Sequence, residues 1–261
     1  MSNTCNLMSH LPRVRVGGIV MTALSRAAWA NKMKDICLVA RGKKERPIVV
    51  FSANGQTLAT YYRDKAFKAL FAEADAVDAD GQPAVIASRI LTKTPLPERV
   101  ATTDFFHNAA SMAQESGLSF YFLAASQKNI EIAIHEIKLL YPKLNIVGYR
   151  NGYFTQEEEP AIAAEIVRLK SDVLWVGMGV PRQEDFVIRN LDALRGVGWV
   201  KTCGGLFDYF LNDVKRAPLW MHQLCLEWLF RMCQEPGKFA RRYITTNGLA
   251  LWLLITKTND L

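Results

Sequence analysis

A chain of 261 residues with 50% apolar and 22% charged content can bury one large core and is too apolar to be disordered. Its net charge of +7 is uneven: residues 1–46 carry nine basic against two acidic side chains, residues 215–261 seven against three, and the stretch between is net −4. Basic ends around a mildly acidic body suggest an anionic partner, for which nucleic acid, a phosphorylated substrate and anionic lipid all qualify.

The first residues lack a long apolar core, so no signal peptide is expected. No apolar run reaches the roughly 18–20 residues that span a bilayer, and the longest candidate, "GLALWLLI", is too short. Five cysteines, Cys5, Cys37, Cys203, Cys225 and Cys233, form no CxxC pair and fit a reduced cytosolic setting.

"VRVGGIVMTAL" predicts a strand pair before the first helix. From residue 47 to 205, β-rich runs ("PIVVFSAN", "ADAVDAD", "LSFYFLAAS", "LNIVGYR", "DVLWVGMG", "GVGWVKTCG") alternate with longer runs of helical period, among them 128–140, 157–169 and 182–194. The strand runs are nearly continuous in apolar residues, as strands buried on both faces are. The pattern predicts an α/β fold, a Rossmann-like parallel sheet with helices on both faces. Ligands of such sheets bind beyond the carboxyl ends of the strands. That places Ser52 and Asn54, Asp80 and Gly81, Ala125 and Ser126, residues 177–183 and residues 204–208 around the crevice.

From Lys215 the character changes. "KRAPLWMHQLCLEWLFRMCQEPGKFARRY" predicts an aromatic-rich helical appendage with basic ends, Lys215, Arg216, Lys238, Arg241 and Arg242 among its cations. Trp220, Leu224, Trp228 and Leu229 belong to its apolar stripe, and Pro236 and Gly237 mark a break. The expected division is a domain of residues 1–214 and a C-terminal helical appendage of residues 215–261, packed on the body or hinged to it.

Asp80 ends a strand before Gly81 and Pro83. A carboxylate there suits the N-cap of the next helix, or it enters the crevice and takes a proton from a substrate hydroxyl; spacing favours the cap. Asp78 and Asp80 spell DxD, a metal-holding pattern in many sugar transferases, and alternate strand residues share a face. No other His, Asp or Glu cluster supports a metal. In "VGMGVPRQEDF", Gly177 and Gly179 allow close backbone approach, and a helix start favours phosphate. Arg182 stands where GxGxxG needs glycine, which disfavours a dinucleotide-dependent oxidoreductase. Gly204 and Gly205 in "CGGLFDYF" form a second glycine turn, with Asp208 as a ligand or a helix-start charge. His10, His107, His135 and His222 are scattered; His107 lies on a helix face or lines the crevice.

Five motifs together resemble one family: "ADGQP", "LPERV" followed by an Asp, "YPKLNIVGYRNGYF", "VGMGVPRQE" and "KRAPLWMHQLCLEWLFRMCQEP…RRY". From Arg15 to Tyr243 the chain looks like the WecG/TagA/CpsF family of bacterial glycosyltransferases. The resemblance implies inverting, metal-independent transfer of a hexose or N-acetylhexosamine from a UDP-sugar to a polyprenyl-diphosphate-linked saccharide. The implied setting is cytoplasmic, peripheral on the inner face of the cell membrane, in surface or exopolysaccharide synthesis. It implies Asp80 as catalytic base, Asn54, Arg99 and Gln183 as pocket residues, and Ser52 where the family has Thr. Asp78 becomes a spare polar residue. Without a metal, the departing UDP needs cations or N–H dipoles, and Arg231, Arg241 and Arg242 are the candidates, on an appendage acting as a lid.

The chain departs from the family at Gly55-Gln56, where Pro-Glu is usual, and in "ERVATTD", which lacks a Gly. Both departures bear on the identity of the sugar, and "ATTDFFH" resembles a branch that transfers glucose. No cofactor and no nucleic-acid partner are expected, and a homo-oligomer is left open. The alternative reading is a non-catalytic sugar-nucleotide or nucleic-acid binding protein, suggested by the basic and aromatic residues of the appendage.

Overall fold

The computed structural model describes residues 7–211, 216–218, 220–221 and 224–261. Cys5, Lys215, His222, the side chain of Lys238 and the 214/215 division lie outside the described residues.

The chain opens on a hairpin, β1 (Arg13–Val16) and β2 (Ile19–Thr22), paired antiparallel. Its two turn residues, Gly17 and Gly18, have φ of 58° and 89°, which only glycine adopts freely. After α1 (Arg26–Ala40) come β3 (Ile48–Ala53), α2 (Gly55–Arg63), α3 (Lys65–Ala72), β4 (Ala76–Ala79), α4 (Gln82–Leu91) and α5 (Thr102–Ser116). Then follow β5 (Ser119–Ala124), α6 (Gln127–Leu140), β6 (Asn145–Arg150), α7 (Glu159–Arg168), β7 (Val173–Gly177), α8 (Arg182–Arg189) and β8 (Trp199–Thr202). Two helices close the chain, α9 (Glu227–Gln234) and α10 (Pro236–Thr256).

Six strands form one parallel sheet in the order β4-β3-β8-β7-β5-β6. The chain runs outward from β3 to β4 and from β5 to β6, then fills the middle with β7 and β8. The crevice therefore opens over the ends of β3, β7 and β8, where the connections part. Two apolar layers flank the sheet. One packs α1, α5 and α6 through Trp29, Phe106, Ile134 and Trp175. The other packs the hairpin, α2, α7 and α8 through Val16, Leu58, Ile162 and Phe186. β3, β5 and β7 are buried almost throughout, as their apolar runs predict, whereas the edge strand β6 is half-exposed.

Two predicted helices come out differently. The run 182–194 is helical only to Arg189, because Asn190 Nδ2 turns back to the carbonyl of Phe186 at 2.9 Å and to Glu159 Oε2 at 2.8 Å. The C-terminal stretch is not one helix: Cys225 has φ of 60°, and α9 and α10 are broken at Glu235, just before Pro236.

α10 is built into the body. Leu253 and Leu254 join the second apolar layer, and Trp252 meets Tyr62 of α2 edge-on at 5.7 Å. α10 lies close against the start of α2: a Cβ on Gly55 would meet the Ala250 Cβ at 3.5 Å, an ordinary contact. Beyond the helix, Asn259 exchanges both backbone hydrogen bonds with Arg15 of β1, at 3.0 and 3.1 Å. The carboxylate of Asp260 accepts from the backbone N–H groups of Lys93 and Thr94.

Candidate active site

A cavity of about 910 Å³ lies over the carboxyl ends of the strands. Ser52, Asn54, Asp80, Arg99, Gly177, Gly179, Gln183, Gly204, Gly205, Arg231 and Arg242 all line it. Arg241 does not; it is exposed on the outer side of α10. His107 lies elsewhere, in a separate hollow beside Asn31 and Asn108, with its Nδ1 2.5 Å from the hydroxyl of Tyr141.

The backbone N–H of Asp80 donates to the carbonyl of Ala53 at 2.9 Å, continuing the β3–β4 ladder one residue past the strand. The N-cap of α4 is Gly81, without a side-chain cap bond, so Asp80 does not cap the helix that follows it. Its Oδ1 instead accepts from the backbone N–H of Thr102 at 3.3 Å, the first residue of α5, whose own N-cap is an alanine. A carboxylate at a helix N-terminus is favoured in its charged form. Arg99 adds to this: its Nε donates to the carbonyl of Asp80 at 2.8 Å, its Nη2 stands 3.9 Å from Oδ1, and its Nη1 reaches Glu227 of α9 at 2.6 Å.

The Asp80 side chain is 24% exposed and lines the cavity. Burial pushes its pKa up to about 6; Arg99 opposes the rise, and the negative charges of Glu227 and Asp78 add to it. A carboxylate with its pKa raised this far is a better proton acceptor than a solvated aspartate.

Asp78 does not join Asp80 at the cavity. It is 1% exposed, and its Oδ2 lies 2.9 Å from the Nζ of Lys201, which is fully buried in β8. Asp78 is therefore no spare polar residue, and its ammonium partner leaves the DxD pair unsuited to clamping a cation. Among the described residues, no group of three or more His, Cys, Asp or Glu could hold a metal ion.

Ser52 accepts from the same Nζ and lies 3.2 Å from the Thr102 hydroxyl. Asn54 uses its Oδ1 to cap α2, accepting from the N–H groups of Gln56 and Thr57 at 3.0 and 3.3 Å, which leaves its amide nitrogen for a ligand. Gly177 allows the ends of β7 and β8 to close on each other: a Cβ there would lie 2.6 Å from the carbonyl of Gly204. Across that contact Gly204 N donates to Gln183 Oε1 at 3.0 Å, and Gln183 Nε2 donates to Glu184 Oε1 at 2.7 Å. Glu184 is fully buried, and burial lifts its pKa to about 8, against the pull of the Gln183 amide.

From the appendage, the Arg231 guanidinium sits over the rings of Phe239 and Tyr209, at 4.7 and 5.4 Å. That of Arg242 sits over Phe239 and Tyr243, at 4.6 and 4.8 Å. Aromatic faces hold both cations at the cavity wall.

Sequence reasoning missed Thr102, Glu184, Lys201 and Glu227. A lysine inside the apolar run "GWVKTCG" was the available signal for one of them.

The family model described as Glycosyl transferase WecG/TagA/CpsF family matches residues 14–260. The chain belongs to the WecG/TagA/CpsF family of glycosyltransferases. This glycosyltransferase is 30% identical over 211 residues to the N-acetylglucosaminyldiphosphoundecaprenol N-acetyl-beta-D-mannosaminyltransferase of Bacillus subtilis (strain 168), covering 81% of the present chain and 80% of that protein. A protein of the same name from Bacillus spizizenii (strain ATCC 23059 / NRRL B-14472 / W23) is 30% identical over 184 residues, 69% of this chain and 70% of its own length.

Proposed function

We propose that this glycosyltransferase moves a hexose or N-acetylhexosamine from a UDP-sugar to a saccharide carried on polyprenyl diphosphate, with inversion and without a metal. The observation that carries this reading is the carboxylate of Asp80, held at the cavity wall by Thr102 and Arg99 with a pKa of about 6. It takes the proton of the acceptor hydroxyl as that oxygen bonds to the anomeric carbon. The bond from that carbon to UDP breaks on the opposite face, its electron pair leaving with the diphosphate. A single displacement of this kind inverts the anomeric centre. Arg231 and Arg242 supply the positive charge that the departing diphosphate calls for. Gln183 and Asn54 offer hydrogen bonds to sugar hydroxyls.

The acceptor class is inferred from the names of the two Bacillus relatives, both of which act on a diphosphoundecaprenol-linked N-acetylglucosamine. Among the described residues no helix is long and apolar enough to cross a membrane. Contact with the inner face of the cell membrane is assigned to the outer side of α10, where Ile244, Trp252 and Ile255 are 78%, 43% and 62% exposed and Arg241 stands among them. Residues 215–261 then serve two roles, covering the cavity with Arg231 and Arg242 and meeting lipid with the opposite side.

The test is UDP release from a panel of UDP-sugars with a polyprenyl-diphosphate-linked N-acetylglucosamine acceptor, in the presence of EDTA. Turnover with one donor and an inverted product linkage supports the reading. Turnover that EDTA abolishes and Mn²⁺ restores removes the metal-free mechanism, and no turnover with any donor removes the substrate assignment.

A further inference from the structure

Lys201 lies at the centre of the sheet, in register with Val50 of β3 and Trp175 of β7. Neither it nor Asp78 touches solvent. A buried ion pair adds little to stability, and apolar side chains of similar volume often hold a core as well. What the pair does supply is direction. The three N–H donors of the ammonium match three acceptors: Asp78 Oδ2 at 2.9 Å, the carbonyl of Thr202 at 3.1 Å and Ser52 Oγ. An ammonium cannot accept, so Ser52 Oγ accepts its N–H, which leaves the serine's own hydrogen to bond Asp78 or Thr102. Ser52 then meets Thr102 Oγ1 at 3.2 Å, and Thr102 N meets Asp80 Oδ1 at 3.3 Å. The Ser52 hydroxyl, the Thr102 hydroxyl and the Thr102 backbone N–H thus join a buried cation to the carboxylate at the cavity wall.

We propose that Lys201 is a positioning residue: through Ser52 and Thr102 it fixes Asp80 at the angle from which the carboxylate takes the acceptor's proton. This rests on the reading of Asp80 as the base. The Ser52–Thr102 contact anchors the start of α5, whose first N–H is aimed at Asp80; a donor set before the substrate arrives need not reorganise during reaction, and a site held this way acts mainly on kcat.

Removing one member of the pair strands a buried charge, so both members are changed together. Asp78→Asn/Lys201→Gln keeps a neutral donor towards Ser52. Asp78→Asn/Lys201→Met has nearly the same shape and lacks that donor. In the full-length enzyme, assayed by UDP release, the Gln pair is expected to keep kcat within about fivefold of the parent, and the Met pair to lose roughly 10- to 100-fold. The donor KM should stay within about threefold, and the two melting temperatures should agree within a few degrees. In a Ser52→Ala background the difference between the pairs should vanish, as it must for groups acting in series. Equal kcat in the two pairs overturns the proposal, and so does a difference that survives Ser52→Ala. Should the Met pair fail to fold, Thr102→Val cuts the same path: a kcat loss of roughly tenfold at unchanged donor KM supports the proposal, and parental kcat overturns it. A parent enzyme inactive with every donor overturns the functional reading along with this one, and that result is seen before any variant is compared.

Discussion

Arg99 grips Asp80 and Glu227 with one guanidinium, 3.9 Å from the Asp80 carboxylate and 2.6 Å from that of Glu227. It thereby ties the end of β4 to α9, so the element that carries Arg231 is fastened to the residue assigned the proton transfer. Replacing Asp80 by Asn keeps the shape and the bond from Thr102 but removes the proton acceptor. Turnover should fall by about 10²- to 10⁴-fold with little change in UDP-sugar affinity. Steady-state UDP release paired with a donor-binding titration checks both halves; near-parental turnover by folded enzyme would sink the assignment.

The pH dependence follows from the direction of the Asp80 shift. Its pKa is raised from 3.8 to about 6, and a general base works only when ionised. Activity, followed as kcat/KM, should therefore rise with pH through about 6 and level off above it. Arg99 holds the value down, so Arg99→Gln should move this acid limb to higher pH. A limb that stays near the value of a solvated aspartate would separate Asp80 from the titration.

Glu184 lends itself to a stability measurement. Its folded pKa of about 8 lies above the 4.5 of a solvated glutamate, so the folded state binds the proton more tightly. The cost of ionising it in place grows as pH rises from about 4.5 to 8 and is constant above. Glu184→Gln keeps an acceptor for Gln183 and cannot ionise. Its melting temperature relative to the parent should climb between pH 5 and pH 8, read by thermal denaturation across buffers. A difference independent of pH would mean that Glu184 is solvated when charged.

Gln183→Ala leaves the N–H of Gly204 and the carboxyl of Glu184 without their partner. Unpaired buried groups cost on the order of 1–3 kcal/mol. Catalytic efficiency should fall by tens- to hundredfold in a protein that still folds. A full kinetic series matching the parent would take Gln183 out of the site.

On α10 the two faces should separate by experiment. Ile244→Gln/Ile255→Gln alters only exposed side chains and should leave the melting temperature unchanged while weakening sedimentation with anionic liposomes. Leu253→Ala, in the buried face, should instead cost roughly 2–5 kcal/mol of stability. Undiminished liposome binding by the first variant would move the membrane contact elsewhere.

Much was legible without coordinates. Apolar runs such as "LSFYFLAAS" and "DVLWVGMG" mark strands buried on both faces, because only a parallel sheet covered by helices hides such runs from water. Polar and glycine residues right after those runs mark the crevice, and Ser52, Asn54, Asp80, Gln183 and Gly204 do line it. The Asp-Gly-Gln-Pro turn and the glycine turn before Gln183 are local in the chain, so local reading reached them, whereas Arg99 came only from the resemblance to the family.

What tertiary structure alone decided is how residues far apart in sequence share their hydrogen bonds and charge. Spacing favoured Asp80 as a helix cap; in space it meets the start of a different helix, 22 residues on. Asp78 read as spare until the sheet, with β4 and β8 on either side of β3, brought it to Lys201, 123 residues away along the chain. Arg241 and Arg242 are neighbours in sequence, but the helix turns one to the outer surface and the other to the cavity. The hydrophobic pattern of a sequence reports which faces avoid water, since burial depends on side-chain type and period. It does not report which buried polar groups will pair, because that depends on distances of a few ångströms set by the packing of the whole sheet.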